Sequence, residues 1–159
     1  MNVTELYSSK GLLIDTNLLV LLIVGTINPT QISSHKRTTS YSADDYSLLL
    51  AFADRFKLLV TTPNILTEAS NLLEGYSYRG NYALATLERF TQGTKEIICE
   101  SLSTMHGYPK SYLKYGLSDA VIHRVASEKY LILTDDLNFC AYLQGNGLLS
   151  INFNNLRIS

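Results

Sequence analysis

Asp15 stands directly after the apolar run Gly11-Leu12-Leu13-Ile14, and Asp135 and Asp136 stand directly after Leu131-Ile132-Leu133-Thr134. Both runs are short and uncharged and read as buried strands, so these carboxylates are expected where two strands end. Glu68 lies in the second turn of a helix opened by Thr62-Pro63, proline being favoured at the first helical position. At 100° per residue it sits about 40° from Leu72, at the border of the face formed by Ile65, Ala69, Leu72 and Leu73. Asp119, read as the first residue after a Ser118 cap, sits about 20° from Ala126 at the edge of the Val121, Ile122 and Val125 stripe. A helix-terminal acid also has a plain explanation in the helix dipole, worth about 0.3–1 kcal/mol.

Taken together the acids imply more. Carboxylates converging on one rim repel one another, and the cluster is stable only with raised pKa values or a cation among them. Oxygen ligands without His or Cys select Mg²⁺ or Mn²⁺ over zinc. A magnesium ion held this way keeps several waters, one of which can be deprotonated and aimed at a phosphodiester. The residue types therefore point to hydrolysis of a phosphate ester.

The elements that must position these groups follow from the hydropathy pattern. Leu18 to Val24 reads as a helix apolar nearly all round, hence buried on both sides. Asn28 to Tyr41 is polar. Ser42 then opens a helix with a capping-box partner at Asp45 and an apolar face of Leu48, Leu49, Phe52 and Phe56. Leu58 to Thr61 is β-type, and the helix from Pro63 is expected to stop near Glu74 at Gly75. Tyr82 to Phe90 reads as helix, Gly93 to Tyr115 has no clear period, and a helix is expected after Ser118. Leu137 to Leu143 is expected to be a short helix and Leu148 to Phe153 a last strand. Strands nearly free of charge alternating with helices predict an α/β fold, a three-layer α/β/α sandwich with a central, mainly parallel sheet. Residues 1–159 are expected to form a single domain. Ligands in such folds bind at the carboxyl ends of strands.

Four stretches resemble, in order, the acidic motifs of PIN-domain (PilT N-terminal-like) nucleases, including toxin ribonucleases of VapC type. They are Leu13-Ile14-Asp15-Thr16-Asn17, the Glu68 of Thr62 to Glu68, Leu117-Ser118-Asp119-Ala120, and Leu133-Thr134-Asp135-Asp136-Leu137-Asn138-Phe139. The resemblance spans residues 12–139. It implies an endoribonuclease dependent on Mg²⁺ or Mn²⁺, with Asp15, Glu68, Asp119 and the last-motif aspartate holding the metal. The Thr-x-Asp pattern of that motif falls on Asp136, with Asp135 as a neighbour; the doubled aspartate leaves open which is the direct ligand. Asn17 and Thr134 suit hydrogen-bonding roles that orient carboxylates. The implied partners are RNA, tRNA or another structured RNA included, an antitoxin or other protein inhibitor, and a second copy of the chain. Segments 28–41 and 93–115 are longer than a minimal member needs, which sets the substrate surface apart.

The composition limits these expectations. Thirteen Lys and Arg against fourteen Asp and Glu give a net charge of −1, so the surface as a whole is no polyanion-binding field. Setting aside the four acids of the metal site leaves ten acids against thirteen bases, and local patches can still meet RNA. Lys36 and Arg37, in the polar segment, are candidates for phosphate contact, against the alternative of a solvated loop. Tyr76, Tyr78, Tyr82, Tyr108, Tyr112 and Tyr115 gather in sequence with Arg79, Lys110 and Lys114. Stacking on bases and ordinary packing or a homodimer interface explain them equally. His123 is expected to face solvent, with proximity to Asp119 as the alternative. Cys99 and Cys140 are expected to be small buried hydrophobes in a reducing, cytoplasmic setting. The strongest apolar run, Leu18 to Val24, is far shorter than the about 20 residues of a membrane span. Two further readings compete: a non-catalytic nucleic-acid-binding or interaction module, and an aspartate-nucleophile phosphatase. The phosphatase pattern places a second Asp where this chain has Asn17.

Overall fold

Five strands lie side by side, all parallel, in the order β3-β2-β1-β4-β5. They are β1 (Leu12–Ile14), β2 (Leu59–Thr61), β3 (Lys95–Glu96), β4 (Leu131–Thr134) and β5 (Ser150–Asn152) in a computed structural model that describes residues 8–157. Nine helices flank them among the described residues: α1 (Thr16–Ile27), α2 (Ala43–Ala53), α3 (Pro63–Leu73), α4 (Tyr82–Gln92), α5 (Ser101–Gly107), α6 (Pro109–Tyr115), α7 (Leu117–Ala126), α8 (Leu137–Gly145) and α9 (Phe153–Arg157). The fold is the predicted three-layer α/β/α sandwich.

Central strands explain the charge-free runs. β1 and β4 pair along their length, Leu12 with Leu131 through Ile14 with Leu133, and every residue of both is buried. Such strands are covered on both faces and have no polar side to alternate with. The chain builds β2 and β3 outward from β1, then returns to place β4 and β5 on the other side of β1. That reversal opens a crevice between the carboxyl ends of β1 and β4, the usual ligand position in open α/β sheets.

Helix α1 is buried from Leu18 through Gly25 and packs against α2, α3 and α4. Gly25 lets α2 approach closely, because a Cβ there would overlap the Tyr46 ring. Gly25→Ala is therefore expected to destabilise the protein despite alanine's better helix propensity. Overpacking costs about 1–3 kcal/mol against a propensity gain of about 1 kcal/mol. Urea denaturation checks this; an unchanged or higher midpoint contradicts it.

The structure departs from expectation in two places and gives form to two stretches that the sequence left open. Helix α7 begins at Leu117, not after Ser118: Gly116 is its N-cap at φ 92°, and Ser118 lies within its first turn. Only glycine adopts that conformation without strain, so it lets α6 turn sharply into α7. The last strand stops at Asn152, whose side chain accepts from the Asn154 amide at 3.0 Å and turns the chain into α9. The unreadable stretch 93–115 contains the exposed edge strand β3 and the seven-residue helices α5 and α6, which pack on α7. Elements this short carry too few turns to show a period.

Residues 28–41, finally, are mostly exposed but pinned by four buried residues. Ile32, His35, Thr38 and Tyr41 are buried at a spacing of three residues. Successive tight turns produce the spacing: Ile32 N donates to Pro29 O, Thr38 N to His35 O and Tyr41 N to Thr38 O. The segment presents one face inward and Lys36 and Arg37 outward.

Candidate metal centre

Asp15 occupies the carboxyl end of β1, where its amide donates to Leu133 O of β4 at 2.9 Å. It is also the N-cap of α1, accepting from Thr16 N at 2.8 Å through Oδ1. Thr134, fully buried at the end of β4, donates its hydroxyl to Asp15 Oδ2 at 2.7 Å. The same Thr134 oxygen accepts from Asp136 N at 3.1 Å, so one hydroxyl ties the two strand ends together.

Glu68 is exposed on α3 and accepts from the Thr16 hydroxyl at 3.0 Å through Oε2. Thr16 thus links the first and second acids. The sequence offered no signal for it beyond adjacency to Asp15. Asp119 is half-buried in the first turn of α7, and α7 packs against α3, the helix of Glu68.

The doubled aspartate resolves into two different environments. Asp136 is exposed and caps α8, accepting from Phe139 N at 3.0 Å. Asp135 is half-buried, with Tyr41 Oη donating to its Oδ2 at 2.6 Å and Asn17 Nδ2 to its Oδ1 at 3.4 Å. Asn17 thus donates one long hydrogen bond to a carboxylate of the cluster. Tyr41 was not foreseen; the one legible hint is its place at the end of the buried three-residue spacing.

Electrostatics couple these groups. Burial pushes the Asp15 carboxyl up to about 6; its bonds from Thr134 and Thr16 lower it, and the charges of Asp135 and Glu68 raise it further. Asp119 is pushed up to about 7, first by burial and then by the charges of Asp15, Asp136 and Glu68. The acids from β1, α3, α7 and the end of β4 thus share one field. Among the described residues, no group of three or more Asp, Glu, His or Cys side chains is gathered at metal-ligand spacing. Like-charged carboxylates stand apart without a counter-charge, and Mg²⁺ binds through one or two carboxylates while keeping its waters. An all-oxygen donor set in which burial and neighbouring charge hold Asp15 and Asp119 above the usual carboxylate range suits a hydrated Mg²⁺ or Mn²⁺ ion.

Other expected features fall elsewhere. His123 does not face solvent: it is half-buried, hydrogen-bonds through Nδ1 to the buried Ser111 hydroxyl, and packs against Tyr108 and Tyr142. Burial lowers its pKa, and its role is to join α6 to α7. Its position four residues after Asp119 suggested proximity to that acid as the alternative to solvent; its burial by α6 could not be read from a stretch without period. The tyrosines separate into two groups. Tyr76 and Tyr78 stack at 6.3 Å and bond to Gln31 and Asn28, tying the turn after α3 to the 28–41 segment. Tyr115 packs on Phe139 and Tyr142 near the start of α8. Cys140 is buried and Cys99 partly so. No helix among the described residues is long and apolar enough to cross a membrane.

No family model matches the chain, and no curated protein matches it.

Proposed function

We propose that the protein is a Mg²⁺- or Mn²⁺-dependent endoribonuclease of the PIN class, of toxin or defence type. The observation that carries this reading is the shared field at the β1–β4 crevice, where Asp15 and Asp119 are held near 6 and 7 by burial and by neighbouring carboxylates. Asp15, Glu68, Asp119 and Asp136, with Asp135 beside them, would hold the ion. When bound, the ion supplies an activated water and stabilises charge on the phosphate oxygens. The chain's own part is orientation. Thr134 and Thr16 fix Asp15 and Glu68 against α1, and Asn17 and Tyr41 turn Asp135. On this reading the substrate is RNA, with tRNA as one candidate, the compartment is the cytoplasm, and a protein inhibitor of antitoxin kind and a second copy of the chain are expected partners.

The test is cleavage of RNA by the purified protein with Mg²⁺ or Mn²⁺, and its loss in EDTA. Absence of metal-stimulated cleavage of any RNA or single-stranded DNA overturns the reading.

Lys36 and Arg37 are exposed on the turn that His35 anchors, with Arg37 N donating to His35 Nδ1 at 3.1 Å. If both meet RNA phosphates, replacing both by Ala reduces the slope of log K against log salt by about 1.4 for single-stranded RNA, roughly 0.7 per contact. Fluorescence anisotropy across a salt series measures it, and an unchanged slope removes both residues from the interface.

A further inference from the structure

Tyr41 closes the 28–41 segment and is only 8% exposed. Its hydroxyl reaches across the fold to Asp135 Oδ2 at 2.6 Å, the length of a charge-assisted bond to a carboxylate. The ring is held on two sides. It packs against Phe153 at 6.1 Å between centroids and lies under the Arg157 guanidinium, 4.8 Å from the ring centre. Arg157 is itself fixed: it donates to Asp45 Oδ1 at 3.0 Å, to Asn154 Oδ1 at 3.0 Å and to Ser40 O at 2.9 Å. Asp45 completes the capping box that starts α2 directly after Tyr41. The hydroxyl is therefore delivered on a ring that cannot turn without breaking contacts from α9, one of which, Arg157, is itself held by Asp45 of α2.

Its acceptor needs such help. Asp135 acts on Asp15 as a like charge, and repulsion alone would turn the carboxylate outward to water. Tyr41 supplies a donor to one oxygen, Asn17 a donor to the other, and Asn154 Nδ2 holds the Asp135 carbonyl at 3.2 Å. The phenol hydroxyl is the donor and the carboxylate the acceptor in this bond.

We propose that Tyr41 is a positioning residue for the carboxylate centre: locked by Arg157, its hydroxyl holds Asp135 turned toward Asp15 in the orientation that receives a divalent cation. This rests on the metal-dependent reading above, and it gives segment 28–41 a task at the site. Tyr41→Phe removes the hydroxyl and keeps the ring. Titration with Mn²⁺, followed by the electron paramagnetic resonance signal of the free ion, is expected to show binding weakened about 10-fold or more, the range found when an orienting partner of a ligand is lost. In an Asp135→Asn background the same change is expected to have no further effect, because the hydroxyl acts through that carboxylate. Arg157→Gln, which frees the ring without touching the hydroxyl, should weaken binding in the same direction by less.

Wild type that binds Mn²⁺, together with Tyr41→Phe that binds it equally well, overturns the role of Tyr41 and leaves the nuclease reading standing. Equal weakening in the Asp135→Asn background also overturns it, since the effect would then come from packing. Wild type that neither binds Mn²⁺ nor cleaves RNA overturns the metal centre and this role with it.

Discussion

Asp15→Asn is expected to reduce metal-stimulated RNA cleavage by at least about 100-fold, beyond the 10- to 100-fold loss typical of a residue one step removed from the metal. Asp15 stands at the carboxyl end of the central strand and receives two hydrogen bonds that fix both oxygens. Asn keeps the shape and the acceptor for Thr16 N, and it removes the charge that a cation would meet. Its amide cannot accept the Thr134 proton, a loss of about 0.5–1.5 kcal/mol. Relief of a buried carboxylate raised to about 6 offsets that loss above neutrality. The fold is therefore expected to survive with nearly the wild-type melting temperature. Initial cleavage rates with Mg²⁺, read beside circular dichroism, decide it. A variant retaining more than about one tenth of the activity would take Asp15 out of the site.

The second large effect concerns stability in EDTA. Asp119 has its carboxyl pushed up from 3.8 to about 7 in the fold. Between those values the folded state binds more protons than the unfolded state, so stability falls as pH rises through this window. His35 and His123 act with the opposite sign: burial lowers both, and they withdraw stability as pH falls below about 6.5. Comparing wild type with Asp119→Asn cancels the histidines and isolates the acid. At pH 8 the variant is expected to be more stable by about 1–3 kcal/mol, with the full shift discounted for partial solvation and for repulsion shared with Asp15. That corresponds to roughly 3–10 °C for a chain of this size, and the gap narrows steadily below pH 7 and closes only near pH 4, where the unfolded carboxyl is protonated as well. Added Mg²⁺ should raise the wild type more than the variant, because a cation relieves the same repulsion that the substitution removes. Thermal melts from pH 5 to 8, with and without Mg²⁺, test both statements. A variant less stable than wild type at pH 8 in EDTA contradicts the repulsion.

Much of this site is legible in the chain because it sits on elements with strong hydropathy signals. Asp15 and Asp135-Asp136 follow uncharged runs that central parallel strands require, and Glu68 and Asp119 border apolar helix faces. Thr134 and Asn17, singled out in the motifs, each donate a hydrogen bond to an aspartate of the cluster. The rest depends on contacts between segments far apart. Tyr41 meets Asp135 only after segment 28–41 folds into consecutive three-residue turns, and no local pattern marks a tyrosine for that purpose. Asp135 and Asp136 are indistinguishable as neighbours in sequence, yet one caps α8 and the other faces Tyr41. The start of α7 was misread because Ser118 is a good cap, whereas the positive φ of Gly116 sets the boundary. His123 was misread because α6, which covers it, has no readable period.

The near-complete enclosure of α1 has a consequence for where the site can yield. A helix buried from Leu18 through Gly25 and packed against α2, α3 and α4 cannot open by itself without exposing much of the core, so its amides are expected to exchange with solvent only through global unfolding. Asp15, as the cap of that helix, is expected in the slowest-exchanging part of the protein. The exposed edge β3 and the short α5 and α6 are expected to exchange faster. If the proposed RNA substrate binds, adjustment to it is expected to fall to residues 93–115, while the carboxylate at the end of β1 stays fixed in place.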